Sequence, residues 1–169
     1  MKLSEMLLPE FDNEMAKTRK SLERAPEDKF DWRPHEKSMS LRSLVTHMAN
    51  LPTWTNLAIE QDSFNMQQPA DASSDLAAVQ SVEELLTRFD KNIAAARAAI
   101  ENASNETFGE MWTLLSGERK VFSMPRMPVL RNFVMNHMIH HRAQLGVYLR
   151  LLDVPVPSNY GPTADETGM

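Results

Sequence analysis

Two histidines near the end of the chain have the spacing that a metal site requires. His137 and His141 lie four residues apart in the segment RNFVMNHMIHHRAQLGVYLR, which covers positions 131–150. A helix over this segment projects both imidazoles from the same face, one turn apart. His140 points about 100° away from His141 around the same helix, toward the surroundings of the site or the surface. The pattern indicates that His137 and His141 can grip one metal ion.

The apolar residues around this pair indicate that the helix faces the core. They recur with the period of a packed helix: Leu130, Phe133, Val134, Met138, Leu145, Tyr148, Leu149 and Leu152. An imidazole on such a face must find hydrogen-bond partners or a metal ion, because burying it bare costs roughly 2 kcal/mol or more. From spacing alone, a metal site and a pair of hydrogen-bonded core histidines both remain open.

A third histidine, His47, lies at the edge of the apolar stripe of another predicted helix. That helix has Ser40 as its predicted N-cap, and Pro52 predicts a kink or an end within a turn or two of His47. Three neutral imidazoles with an open fourth position are a known catalytic arrangement for zinc, and imidazole also suits nickel, iron and copper. His47 is therefore the third candidate ligand, with a half-exposed histidine as the alternative.

The composition excludes several kinds of site and partner. The sequence contains no cysteine, which excludes disulfides, thiolate ligands and a cysteine nucleophile. The letters HMIHH place no glutamate between the two histidines, so the HExxH helix of metalloproteases, with its own general base, is absent. A formal net charge of -5 argues against nucleic acid as a partner.

The N-terminal segment and the apolar runs bear on location. Acidic residues appear too early for a signal peptide, and no apolar run approaches the ~20 residues that span a bilayer. We therefore expect a soluble, cytoplasmic protein without a membrane partner.

Four long helices are predicted to position these histidines. The polar segment 62–80 predicts a long connection, and 107–124 predicts either a short β-hairpin or an irregular loop. The expected fold is an all-α four-helix bundle with a long crossover between helices 2 and 3, in a single domain covering 1–169. The predicted helices cover approximately residues 3–22, 40–51, 81–102 and 125–153.

Two blocks of the sequence resemble the DinB/YfiT-like family of four-helix proteins. They are DWRPHEKSMSLRSLVTHMANLPTW and RNFVMNHMIHHRAQLGVYLRLLDVPVPSNYGPTADE. The family motifs, a histidine in the second helix and His-x3-His in the last, match His47, His137 and His141. The resemblance implies that these three bind one divalent metal ion, zinc or nickel, in a homodimer. Iron is a further candidate because imidazole also suits it.

The resemblance leaves three functions open. The first is a metal-dependent enzyme of the thiol S-transferase type, in which the metal activates a low-molecular-weight thiol toward a small-molecule substrate. The second is a metal-dependent hydrolase that uses metal-bound hydroxide, with Glu10 or Glu14 of the first helix as candidate general base. The third is a non-catalytic, stress-associated metal-binding bundle.

Other polar residues near the last helix have two interpretations each. Arg142, Gln144 and Arg150 could orient the ligands or bind an anionic substrate. The favoured interpretation is structural, since arginines near helix ends commonly pair with acids on neighbouring helices. Tyr160 in the tail PSNYGPTADE is predicted to hold the tail against the helices, with a dimer interface as the alternative.

Overall fold

The computed structural model of this chain describes residues 2–67 and 77–167. A π-helical segment, Leu130–Met135, connects the last two helices, and a 3-10 turn covers Glu27–Lys29. The helices are α1 (Leu3–Leu22), α2 (Leu41–Asn50), α3 (Thr53–Glu60), α4 (Val82–Asn102), α5 (Asn105–Gly109), α6 (Arg126–Val129) and α7 (Asn136–Leu151). The strands are β1 (Ser63–Asn65), β2 (Met111–Ser116) and β3 (Arg119–Pro125).

Helices α1, α2, α4 and α7 bury one apolar face each in a common core. The largest fully buried side chains include Leu7, Phe11, Met15, Leu44, Met48 and Phe89. As predicted, the hydroxyl of Ser40 caps α2 by accepting a hydrogen bond from the Ser43 backbone N–H. The helix stops at Asn50, and α3 begins at Thr53. Pro52 thus marks the break that the sequence indicated, just after His47.

The three strands form one mixed sheet. Strand β1 pairs parallel to β2, and β2 pairs antiparallel to β3. The β2–β3 hairpin turns at Gly117, whose φ of +63° favours glycine. The side chain of Asn65 in β1 accepts a hydrogen bond from the Gly117 N–H and donates one to its carbonyl. Strand β1 therefore holds the hairpin turn directly.

The sheet shows that the prediction of an all-α four-helix bundle is wrong. Of the two alternatives for 107–124, the structure contains the hairpin, after the short helix α5. The predicted long crossover at 62–80 begins with β1 instead of a plain connection, and residues 68–76 lie outside the described residues. Strand β1 pairs with residues about fifty positions away in sequence. The three residues of β1 alone therefore give little indication of this pairing.

An aromatic row joins the sheet to the helices near the histidines. Trp112 of β2 is fully buried, and its indole N–H donates to the Leu57 carbonyl. Its ring contacts Trp54 of α3 and Phe122 of β3. The Phe122 ring in turn stacks on Phe133, with ring centroids 4.8 Å apart. The sheet therefore packs against the turn that precedes His137.

The π-helical segment changes the register of the last helix just before the ligand pair. At its end, the backbone N–H of Asn136 donates to the carbonyl of Arg131, five residues earlier rather than four. Such widened turns are rare and occur often at functional sites. The α-helical spacing that places His137 and His141 on one face begins immediately after it, in α7.

Membrane insertion of a helix is not supported by the structure. Each helix within 2–67 and 77–167 is too short or too polar to cross a bilayer.

Candidate metal centre

The structure brings together the three histidines that the sequence singled out. His47 lies on α2, and His137 and His141 lie on α7, which packs against α2. One nitrogen from each ring falls within 4.8 Å of the others. His47 and His137 are partly buried, whereas His141 is 8% exposed. Of the residues that the structure describes, these form the one group of three or more histidine, cysteine or acidic side chains that could hold a metal ion.

The three rings converge through their Nε2 atoms. The Nε2 atoms of His137 and His141 are 2.8 Å apart, and those of His47 and His137 are 3.4 Å apart. The ring centroids of His47 and His141 are 4.6 Å apart, with the ring planes nearly perpendicular. Three imidazoles therefore point a nitrogen at the same small volume.

The other nitrogens of the α7 pair are already hydrogen-bonded. Nδ1 of His141 lies 2.7 Å from Oε1 of Gln144. The His137 ring is hydrogen-bonded to the backbone of Phe133, one turn earlier. Because Nε2 of His137 faces His141, Nδ1 is the nitrogen that makes this bond. Both acceptors are oxygens, so each Nδ1 carries the proton and each Nε2 presents a lone pair.

This donor set fits a divalent metal ion. A separation of 2.8 Å between Nε2 of His137 and Nε2 of His141 requires a proton or a metal ion between the two nitrogens. Nitrogens around a tetrahedral ion with bonds of about 2.1 Å are separated by roughly 3.4 Å, which is close to the separation seen for His47 and His137. Three imidazoles leave coordination positions open, and imidazole suits zinc, nickel and iron.

Electrostatics keep the three imidazoles neutral, as ligation requires. Burial lowers the pKa of His47 to about 4, and the neighbouring His141 and His137 lower it further. Burial also lowers the pKa of His137 and of His141, against the opposing hydrogen bonds from Phe133 and Gln144. The ligands are therefore ready to bind a cation at neutral pH without first losing protons.

The lowered pKa of His47 predicts how the stability of the metal-free protein depends on pH. The folded state holds this imidazole neutral down to about pH 4, whereas the unfolded chain takes up its proton near 6.5. The free energy of unfolding should therefore fall by about 1–2 kcal/mol, allowing for solvent screening, as pH drops from 6.5 to 4. Thermal melts in the presence of a chelator at several pH values measure it.

A His47→Leu variant isolates this contribution from the acidic residues that titrate in the same range. Its metal-free form should lose less stability than the wild type between pH 6.5 and 4. Equal losses in the two proteins would contradict the prediction.

Comparison with known proteins places the chain in a family. The model of the DinB family matches residues 1–168. The chain belongs to the DinB family. No curated protein matches it, so the family relationship rests on the family model.

Two solved structures share the DinB fold of this chain. A DinB-like protein from Bacillus cereus ATCC 10987 is 17% identical, with a TM-score of 0.73; the match covers 94% of this chain and 98% of that one. A DinB-like protein, YjoA, from Bacillus subtilis is 19% identical, with a TM-score of 0.68 and coverage of 91% and 97%. At these identities the likeness concerns the fold alone.

His140 lies beside the three histidines of this DinB site without joining them. Its ring centroid is 5.0 Å from that of His141, and the residue is exposed. It does not belong to the group whose nitrogens converge. Its assignment from the sequence as a neighbour rather than a ligand matches this placement.

Pairing with an acid on a neighbouring helix holds for Arg142, whereas Arg150 pairs with an acid of the C-terminal tail. Arg142 is 3% exposed and pairs with Glu14 of α1 at 2.6 Å. Arg150 pairs with Asp165 of the C-terminal tail at 2.5 Å. The hydroxyl of Tyr160 donates to Glu14 and accepts from Arg142. Tyr160 therefore holds the tail against α1 and α7, as predicted.

The two acids considered as a general base are already in ion pairs. Glu10 pairs with Arg131 at 2.8 Å. Burial raises the pKa of Glu14, but hydrogen bonds from Tyr160 and Arg142 outweigh it, so its pKa lies below the usual value. A carboxylate held in this way is a weak acceptor for a proton from water.

Sequence reasoning left the partners of the ligand rings undecided. In the sequence, Gln144 has the same two interpretations as Arg142 and Arg150. No sequence pattern points to the Phe133 carbonyl as a partner of His137, because a regular helix engages its carbonyls internally. The spacing of Gln144, three residues after His141, could have indicated the contact, since side chains at that separation meet on one helix face.

Proposed function

We propose that this DinB-family protein is a metal-dependent enzyme that activates a low-molecular-weight thiol toward a small-molecule electrophile. In this proposal His47, His137 and His141 hold one divalent ion, with zinc or nickel as the first candidates. The convergence of three Nε2 lone pairs, with two of the Nδ1 positions already hydrogen-bonded, is the observation that carries it.

The protein's own groups would supply binding and orientation. A divalent ion bound by three neutral nitrogens would lower the pKa of a bound water toward ~7 and would hold a bound thiol as its thiolate. The histidines contribute no negative charge, so they do not weaken that effect as thiolate or carboxylate ligands would. Each imidazole stays neutral because burial lowers its pKa.

The absence of cysteine favours an external thiol over a protein nucleophile. The sequence contains no cysteine, so sulfur chemistry at this site needs a thiol from solution. A hydrolase would need a base for water, and both acids considered for that role are paired with arginines. The pairing of both acids with arginines favours thiol transfer over hydrolysis.

The direct test is thiol consumption with a fluorogenic electrophile. Protein loaded with zinc or nickel is mixed with monochlorobimane and a panel of small thiols, and the fluorescent thioether is measured. In the reaction a carbon–sulfur bond forms, chloride leaves, and the thiol proton goes to solvent. We expect turnover with the metal-loaded protein and none with the metal-free protein or His137→Ala.

Matched controls and alternative outcomes sharpen this test. His140→Ala removes an imidazole beside the site but outside the converging group, and it should retain turnover. Unchanged activity in His137→Ala would end the proposal. Ester or amide hydrolysis without added thiol would support a metal-dependent hydrolase instead. A large drop in melting temperature on chelation, with no turnover on any substrate, would support a structural or sensory metal.

A further inference from the structure

Gln144 lies one turn after His141 on α7 and contacts its ring directly. Its Oε1 is 2.7 Å from Nδ1 of His141. An amide oxygen can only accept a hydrogen bond, so Nδ1 is the protonated nitrogen and Nε2 carries the lone pair. The contact selects one of the two tautomers of the imidazole and fixes the plane of its ring.

His137 obtains the same arrangement by a different device. Its ring bonds to the backbone of Phe133, which lies within the π-helical segment Leu130–Met135. In a widened turn, carbonyls are displaced from the regular four-residue pattern and become available to side chains. The hydrogen-bond acceptor is thus a backbone oxygen for the His137 ring and a side-chain oxygen for the His141 ring.

We propose that Gln144 is a positioning residue of the metal centre, which holds His141 as the Nδ1-protonated tautomer and directs Nε2 to the ion. Only the effect on metal affinity rests on the proposed function. The tautomer is a property of the metal-free chain, so it is measured without any ion or substrate.

The energetic reason is the preparation of the ligand before binding. Without an acceptor at Nδ1, the ring of His141 rotates and exchanges between its two tautomers, and only one orientation offers Nε2 to the ion. Groups that hold ligating histidines in this way typically account for about 10–100-fold in metal affinity. Gln144 is half-buried, so solvent does not fully replace it.

Three variants separate hydrogen bonding from packing. Gln144→Leu keeps the approximate volume and removes the acceptor. Gln144→Glu keeps an acceptor oxygen in the same place. Asn136→Leu replaces an exposed amide on the same helix, next to His137 but pointing to solvent. Melting temperatures of the metal-free variants establish that each one folds.

The first measurement is the tautomer of His141 in the metal-free protein. Long-range proton–nitrogen NMR spectra distinguish a protonated Nδ1 from a protonated Nε2. We expect the wild type, Gln144→Glu and Asn136→Leu to show Nδ1–H at His141, and Gln144→Leu to show a mixture. A wild type with protonated Nε2, or a leucine variant that keeps the wild-type tautomer, overturns the proposal.

The second measurement is the zinc dissociation constant by competition with a chromogenic chelator. We expect Gln144→Leu to bind zinc about 10–100-fold more weakly, while Gln144→Glu and Asn136→Leu bind like the wild type or more tightly. A leucine variant within twofold of the wild type overturns the proposal. A wild type that binds neither zinc nor nickel refutes the proposed function, and the NMR result still decides the role of Gln144.

Discussion

Each single replacement of His47, His137 or His141 by alanine should reduce the zinc or nickel bound to the purified protein to a trace. Each substitution removes one of three converging nitrogens, and two imidazoles bind a divalent ion far more weakly than three. We expect dissociation constants at least about 100-fold higher, since even the loss of a group that only supports a ligand costs 10–100-fold. Elemental analysis of protein passed through a desalting column measures the bound metal.

Thermal stability gives a second readout of the same prediction. An ion that binds only the folded state stabilises it by about 4 kcal/mol at a free concentration 1,000-fold above its dissociation constant. Added zinc or nickel should therefore raise the melting temperature of the wild type by several degrees. The three alanine variants should show little change at the same metal concentration.

His140→Ala and His35→Ala are the matched controls for this prediction. Both remove an imidazole, but neither residue belongs to the group whose nitrogens converge. Their metal content and their response to added metal should equal those of the wild type. A wild type without metal, even after refolding in zinc or nickel, would contradict the assignment of the site.

The histidine variants also separate stability from function. Burial lowers the pKa of His47, so the folded state disfavours the charged form of this imidazole. In the absence of metal, an apolar side chain at this position should leave the melting temperature at pH 7 unchanged or higher. A residue that is neutral or costly for folding, yet aimed at two others, is typical of a functional site.

The long helices were predictable because each carries one stripe of apolar residues and clear end signals. Ser40 caps α2, and Ser81 caps α4 through the Glu84 backbone N–H. The Ser40 cap was predicted from the sequence because this interaction is local and depends on residue type. Pro52 was likewise informative, since it lacks the N–H that a continuing helix requires.

The sheet was not predictable in the same way because its evidence is non-local. Strand β1 has three residues, and it pairs parallel to β2 across a long separation in sequence. Its side chain Asn65 holds the turn at Gly117, a contact that neither segment reveals alone. Strand β2 alternates buried Trp112 and Leu114 with more exposed residues, a pattern too short to exclude a loop.

The sequence predicted which three histidines come together, but not the groups that contact their rings. The spacing of His137 and His141 follows from the helical repeat, and His47 was indicated by its position on a stripe and by family resemblance. The bond from His137 to Phe133 accompanies a π-helical turn, whereas periodicity arguments assume a regular α-helix. A local departure from the regular repeat therefore stayed invisible at the sequence level.

Arg142→Met should destabilise the protein by about 3 kcal/mol, because the buried carboxylate of Glu14 loses its close, hydrogen-bonded cation and keeps only Lys17, 3.9 Å away. The side chains of Arg142 and Glu14 are 2% and 6% exposed and lie 2.6 Å apart. Arg142 also donates to the Glu14 carbonyl and to the Thr18 hydroxyl. Urea unfolding of the metal-free variant at pH 7 measures the loss.

The double variant Arg142→Met with Glu14→Leu tests the cause. Replacing both members of a buried ion pair by apolar side chains is often neutral, whereas removing one is costly. The double variant should therefore recover most of the stability. The Thr18 hydroxyl can still donate to the backbone carbonyl of residue 14. A double variant as unstable as Arg142→Met would show that lost packing, and not the unpaired carboxylate, causes the effect.

Tyr160→Phe should cost less, about 1–2 kcal/mol, because it removes the hydroxyl that donates to Glu14 and accepts from Arg142 but leaves the ion pair between those two residues in place. The residue is 63% exposed, so water can replace part of the lost interaction.

Arg142 contacts α1 and the tail, while the adjacent His141 belongs to the group of converging histidines. Folded Arg142→Met should therefore bind zinc with the wild-type affinity; weaker binding would mean that this ion pair also positions His141, and that the structural network and the metal centre are one unit.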